Sequence, residues 1–114
     1  MLSYLFIGAN DVEVSARFYD AILSPLRYEK EQSEGQYCFS LPESADKSNG
    51  PGSIHIARPF DGQPATAGNG MMPALQADSR STVEKVYAAG LANGGMDEGK
   101  PGIREAYTDD FYVA

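Results

Sequence analysis

The fold is decided by residues 2–23, which read LSYLFIGANDVEVSARFYDAIL. The first seven are rich in aromatic and β-branched residues and end in glycine, a pattern typical of a buried strand. Asn10 and Asp11 are helix-capping residue types, and apolar side chains then recur along one helical face as far as Leu23. The stretch predicts a strand followed by an amphipathic helix that ends before Pro25, because the residue preceding a proline avoids helical geometry.

The rest of the first half predicts a small sheet. Three further strands are expected, at residues 27–32, 36–41 and 53–58. The first two are joined by a Ser-Glu-Gly turn, and the polar, Pro- and Gly-containing residues 42–52 predict a loop. In the last strand Ile54 and Ile56 alternate with His55, so we expect His55 on the face opposite the two isoleucines.

The pattern then restarts after a linker rich in glycine and proline. Residues 71–77 predict a strand and Asp78 and Ser79 a helix cap, followed by a second apolar helical stripe. Strand, cap and helix therefore recur in the same order, which indicates a duplication. At an offset of 68 residues the matching positions are Asn10 and Asp78, Tyr19 and Tyr87, and Leu23 and Leu91.

The repeat predicts an α+β fold in which two βαβββ modules form one domain, residues 1–114, with a cup-shaped mixed sheet. Module one is residues 1–59, the linker residues 60–69 and module two residues 70–114. Applying the offset to the strand at 53–58 places its counterpart beyond residue 114, so the last strand of module two is expected to be missing. An unpaired sheet edge can pair with another chain. We therefore expect a homodimer, with strand exchange as one way of covering the edge.

Composition excludes several classes of function. Nine Lys and Arg against 16 Asp and Glu give a formal net charge of −7, and the basic residues are scattered, so nucleic acid is not an expected partner. No apolar run approaches the ~20 residues of a membrane span, and no signal-peptide pattern is present, so no membrane association is expected. The single cysteine, Cys38, has no disulfide partner in the chain, which favours a reducing cytoplasm and a small buried apolar role.

The helix sequence NDVEVSARFYDAIL, set in two βαβββ modules of this size, resembles the vicinal oxygen chelate superfamily. That superfamily includes glyoxalase I, the bleomycin-resistance proteins and the extradiol dioxygenases. The opening GAND and SARFYD and the linker RPFDGQPATAGNG are similar to its bacterial glyoxalase-like branch in particular. The resemblance extends over the whole chain, and since the superfamily hosts many chemistries it implies the fold more specifically than the reaction.

The resemblance also implies where a metal would bind. Metal-dependent members place one ligand in the first strand and one in the last strand of each module. Those positions fall here on Tyr4, His55 and Met72, and the fourth lies beyond residue 114. Only His55 is a ready ligand for a divalent first-row metal, because a phenol is a poor ligand at neutral pH and a thioether suits Cu(I). The family's metal site is therefore expected to be absent, and we assign no cofactor and no catalytic residue.

The resemblance then implies metal-independent binding of a small organic molecule in the concavity of the sheet. The expected lining residues are Tyr4, His55, Met72, Arg58 and Tyr112. The acidic charge favours a cationic ligand by electrostatic steering. Two alternatives stay open, a glyoxalase-like lyase or isomerase, and an interaction or assembly module that pairs through its open sheet edge. Each lining residue also has an ordinary structural role to weigh, such as core packing, an ion pair or a turn.

Overall fold

Two helices and six strands make up the protein in a computed structural model that describes all residues, 1–114. In chain order they are β1 (Tyr4–Gly8), α1 (Val12–Leu23), β2 (Glu29–Ser33), β3 (Gln36–Ser40), β4 (Ser53–Ala57), α2 (Arg80–Ala92), β5 (Gly102–Ile103) and β6 (Tyr112–Val113). A short 3-10 helix, Ser24–Leu26, follows α1. The expected α+β class is confirmed. Neither helix has the length and apolar character needed to traverse a bilayer.

The strands of the first half form a mixed sheet in the order β1-β4-β3-β2. β1 and β4 run parallel, with Phe6 opposite His55, whereas β4 pairs antiparallel with β3 and β3 with β2. The turn between β2 and β3 includes Gly35 at φ 74°, a left-handed conformation that glycine adopts without strain. This order leaves β1 and β2 at the two edges of the sheet.

The hydrophobic core lies between α1 and one face of this sheet. The Asp11 side chain caps α1 by accepting the Val14 N–H at 3.0 Å, which fixes where the helix begins. The core residues are Ala9, Ala16, Leu23, Tyr37, Phe39, Ile54 and Ile56. Both isoleucines of β4 are therefore buried against the helix, while the intervening His55 is only half-buried on the other side, and the predicted alternation is confirmed.

The second half is organised around α2. The Ser79 hydroxyl caps this helix by accepting the Thr82 N–H at 3.2 Å. α2 packs against α1 near Gly90, where a Cβ would be in ordinary van der Waals contact with Ile22 Cγ2 at 3.6 Å. β5 and β6 form a separate antiparallel pair. The second half therefore contributes a helix layer beside α1 rather than further strands of the main sheet.

The prediction of a strand at residues 71–77 is wrong. This segment is exposed coil, and residues 72–78 make no backbone–backbone hydrogen bond. A strand is stable only where a neighbouring strand pairs with its backbone, and none lies beside this segment; Pro73 moreover lacks an N–H to donate. The division into modules and linker stays a prediction.

Candidate functional site

The face of the sheet that α1 leaves uncovered carries the candidate site. Strand alternation and register place on it, among others, the side chains of Tyr4, Phe6, Cys38, Ser40, Ser53 and His55. We call these residues the open face. Tyr4 and Phe6 are 48% and 42% exposed, which is high for aromatic residues within a strand, so the β1 side of the open face is apolar and accessible.

Tyr4 and His55 contact each other on the open face. Their ring centroids lie 5.3 Å apart at an interplanar angle of 71°, an edge-to-face arrangement that aromatic rings favour. The contact follows from the parallel pairing of β1 with β4, in which Tyr4 lies opposite Ser53, two residues before His55. The pairing of β1 with β4 therefore places the Tyr4 ring against the hydrogen-bonding imidazole of His55 on the open face.

A loop covers the polar part of the open face. We call residues 42–52 the covering loop. The Ser53 hydroxyl donates to the Gly50 carbonyl at 2.6 Å, and His55 Nε2 lies 2.6 Å from the Ser48 carbonyl. Because a carbonyl oxygen only accepts, Nε2 carries the proton in this contact. The loop therefore presents backbone carbonyls to donors on the sheet.

The covering loop is held from outside as well. The Lys47 ammonium donates to the Leu41 carbonyl at 3.1 Å and the Pro42 carbonyl at 2.9 Å, and forms an ion pair with Glu29 at 3.2 Å. The Asp46 carboxylate accepts the backbone N–H groups that follow it, and the bond from Asn49 is the main reason why the pKa of Asp46 is lowered. These contacts define the closed conformation of the loop.

Cys38 is buried beneath the covering loop. Its thiol donates to the Lys47 carbonyl at 3.4 Å, and Sγ lies 3.8 Å from His55 Nε2. Burial raises the pKa of the Cys38 thiol, and the carboxylates of Glu31 and Asp46 raise it further. The thiol is therefore protonated at neutral pH and is not an activated nucleophile, as the sequence indicated.

Ser40 is the second buried polar residue of β3 on the open face. It is 1% exposed, and its hydroxyl has no hydrogen-bond partner, although buried hydroxyls nearly always have one. Sequence reasoning missed Ser40, Ser53 and Phe6 as site residues. The alternation that places His55 on the open face, extended across the hairpin register, is the signal that identifies them.

Comparison with solved structures identifies the family. A glyoxalase/bleomycin resistance protein from Albidiferax ferrireducens T118 is 36% identical to this chain, over 90% of this chain and 81% of that one, with a TM-score of 0.77. The chain belongs to the glyoxalase/bleomycin resistance protein family. The resemblance to the vicinal oxygen chelate superfamily is thereby confirmed.

A second solved structure shares the fold of this glyoxalase/bleomycin resistance family member. The hypothetical protein SA1046 from S. aureus has a TM-score of 0.65 at 16% identity, over 98% of this chain and 79% of that one. Neither a scan of protein-family models nor a search of curated proteins gave a match.

Two of the five expected lining residues of this family member come together. Tyr4 and His55 share the open face, as described above. Met72 is 91% exposed in the coil that replaces the expected strand, so it lines no enclosed surface. Arg58 is exposed just after β4, and Tyr112 lies on β6.

Tyr112 is part of the contact between the C-terminal strands and α2. Its hydroxyl donates to the Glu84 carboxylate at 2.9 Å, and the Arg80 guanidinium lies 5.0 Å from its ring centroid. The bond to Glu84 is the main reason why the pKa of Tyr112 is raised. These contacts give Tyr112 a structural role in docking β6 on α2.

The side chains present do not fit the divalent metal of metal-dependent superfamily members. No group of three or more His, Cys, Asp and Glu residues is arranged to hold a metal ion. His55 Nε2 carries a proton toward the Ser48 carbonyl, and the protonated Cys38 thiol lies beside it, with Sγ 3.8 Å from Nε2. A single imidazole with a protonated thiol does not hold such an ion against water.

Proposed function

We propose that this glyoxalase/bleomycin resistance family member binds a small organic molecule on its open face without a metal ion. The observation that carries the proposal is the exposure of Tyr4 and Phe6 beside the hydrogen-bonding ring of His55. Exposed aromatic side chains next to a few convergent polar groups are characteristic of small-molecule sites. The related protein from Albidiferax ferrireducens is named for glyoxalase and bleomycin resistance, and resistance by sequestration of an organic compound agrees with this proposal.

Binding is favoured over a lyase or isomerase reaction by the state of the two reactive side chains. A lyase or isomerase needs a base or nucleophile free to exchange a proton with the substrate. Here the Cys38 thiol is protonated, and His55 Nε2–H is already donated to the Ser48 carbonyl. With the covering loop in place, neither Cys38 Sγ nor His55 Nε2 is free to accept a proton from a substrate.

The proposal extends to the charge of the ligand and the compartment. The net charge of −7 attracts cations and raises their local concentration near the protein, so cationic organic molecules belong among the ligands. The single Cys38 thiol is suited to the reducing cytoplasm, where we place the protein.

The proposed assembly is a homodimer that covers the outer edge of β1. β1 pairs only with β4, so the backbone groups on its other side have no partner within the sheet. Residues 71–77, with Met71 68% and Met72 91% exposed, supply an unpaired apolar segment for strand exchange. Light scattering tests this proposal, and a strictly monomeric protein contradicts it.

Two variants of the same residue type test the ligand site. A thermal-shift screen of cationic drugs, neutral aromatics and small acids is run on wild type, on Phe6→Ala and on Phe60→Ala. Phe60 is 101% exposed and lies outside the sheet, so its loss is expected to leave ligand shifts intact, whereas Phe6→Ala reduces them. A screen with no shift, or equal shifts in both variants, refutes the site.

Metal content is tested separately. Elemental analysis of protein purified without chelator is expected to show no stoichiometric metal. One equivalent of Ni, Zn, Mn or Fe per chain overturns the metal-independent part of the proposal.

A further inference from the structure

We propose that the covering loop occupies part of the ligand site in the absence of a ligand. When the loop lifts, neutral oxygen acceptors of the bound molecule take the positions of the loop's backbone carbonyls. This inference rests on the proposed function and adds two things to it. It names the chemical class of the ligand's polar end, and it makes loop opening a requirement for binding there.

The acceptors of the loop show what the sheet is built to hold. Three different side chains of β3 and β4, a thiol, a hydroxyl and an imidazole, all donate to the same short piece of backbone. The pairs are Cys38 with the Lys47 carbonyl at 3.4 Å, His55 with the Ser48 carbonyl at 2.6 Å and Ser53 with the Gly50 carbonyl at 2.6 Å. A surface of converging donors is complementary to a molecule that presents converging oxygen atoms.

Ser40 indicates that the covering loop does not supply an acceptor for every donor of the open face. Its hydroxyl lies on the same face as the Cys38 thiol, two residues along β3, and is buried with no acceptor. An unpaired buried hydroxyl is unfavourable, and a ligand with one more acceptor than the loop removes that cost. Ser40 is therefore the position at which a ligand outcompetes the loop.

The surrounding charges select a neutral acceptor. Glu31 lies opposite Cys38 and Glu29 lies opposite Ser40 in the β2–β3 register, and both carboxylates remain on the sheet when the loop lifts. A carboxylate or phosphate placed there meets these two negative charges, whereas a carbonyl, hydroxyl or ether oxygen does not. The adjoining Tyr4 and Phe6 rings then accept the apolar or aromatic body of the molecule.

The loop is built to leave without unfolding the core. It lies on the face opposite the α1 core, its outer ion pair between Lys47 and Glu29 is partly exposed, and a hollow of about 500 Å³ lies among its residues. Its closed form depends on Gly50, since a Cβ there would lie 1.8 Å from Ser44 Oγ and 2.2 Å from the Asp46 carbonyl. Gly50→Ala is therefore a variant that disfavours the closed loop.

Accessibility of the single thiol reports opening. Wild type, Gly50→Ala and the control Gly68→Ala are treated with an aromatic disulfide reagent that reacts with Cys38. A Cβ on Gly68 meets only Met71 Cβ at 3.9 Å, so that variant should label like wild type. We expect Gly50→Ala to label about tenfold faster, the effect of a tenfold rise in the open population. Lys47→Met, which releases the loop from outside, is expected to act in the same direction if Gly50→Ala fails to fold.

Three isosteric probes test the ligand class by ligand-observed NMR. Benzamide presents a neutral carbonyl, benzoate a charged pair of oxygens, and benzamidine a cation with no oxygen acceptor. We expect benzamide to bind opened variants about tenfold more tightly than wild type, in proportion to their labelling rate. Benzoate is expected to bind less well than benzamide, and benzamidine is expected to gain nothing from opening.

The outcomes separate this inference from the proposed function. Equal labelling of all variants, or benzamide affinity that does not follow labelling, overturns the loop as an occupant. Benzamidine binding that is reduced by Phe6→Ala but unaffected by loop opening leaves the open-face site standing and overturns the inference. Absence of benzamide binding to an opened variant overturns the ligand class.

Discussion

Replacing Ile56 by alanine tests the assignment of the two faces of β4, on which the candidate site depends. Ile56 is 0% exposed and lies between Ile7 of β1 and Tyr37 of β3 in the register. The change removes three buried carbon atoms, worth about 0.8 kcal/mol each in transfer free energy. A closed cavity adds to this loss, so we expect the free energy of unfolding to fall by about 3 kcal/mol.

Ile103→Ala is the matched control, with the same chemical change at a side chain that is 40% exposed. Part of that side chain already contacts water and no closed cavity forms, so the expected loss is about 1 kcal/mol. The chain has no tryptophan, so urea unfolding is followed by far-UV circular dichroism and tyrosine fluorescence, with the m-value checked for two-state behaviour. Equal losses in the two variants refute the burial of Ile56, and with it the placement of His55 on the open face.

Two further predictions concern side-chain hydrogen bonds. Asp11→Ala removes the cap on α1 and is expected to cost about 1 kcal/mol in urea unfolding, while Asp11→Asn, which keeps an acceptor, costs less; equal losses contradict the cap. The Tyr37 hydroxyl donates to Glu13 at 2.7 Å, and this bond, with burial, raises the pKa of Tyr37 above 10.0. The stabilisation by the Tyr37–Glu13 bond is therefore present below that pH and lost as pH rises through the raised pKa of Tyr37. Tyr37→Phe should reduce the fall of the urea midpoint at alkaline pH. If the midpoint of the variant depends on pH as that of wild type does, the bond is contradicted.

The first half of the fold could be predicted because its signals are local. Asp11 caps a helix whose first turn begins at the next residue, and Gly35 supplies the turn of an adjacent hairpin. The alternation of His55 with its isoleucine neighbours assigns a face within one strand. Each of these depends on residues a few positions apart, which is the range over which sequence patterns are informative.

The remainder depended on contacts that no local pattern shows. Residues 71–77 have the composition of a strand, but a strand also needs a partner, and the sequence does not reveal that none lies beside them. The covering loop was predicted as a loop, yet its position depends on Ser48 meeting His55, and composition alone says nothing of that contact. Tyr112 was expected at the cavity, and its hydroxyl donates to Glu84 on α2, a contact that no local pattern indicated.

The parallel pairing of β1 with β4 has a consequence for the order of folding. Tyr4 pairs with Ser53, about 50 residues away in the chain, whereas β2 and β3 are joined by a tight turn. The β2–β3 hairpin is expected to form early and the β1–β4 ladder late. Bringing β1 and β4 together costs the conformational entropy of the long chain segment between them before their contacts stabilise the pairing. Tyr4 meets His55 only across that ladder, so the open face is expected to be completed last during synthesis or refolding, after the β2–β3 hairpin is in place.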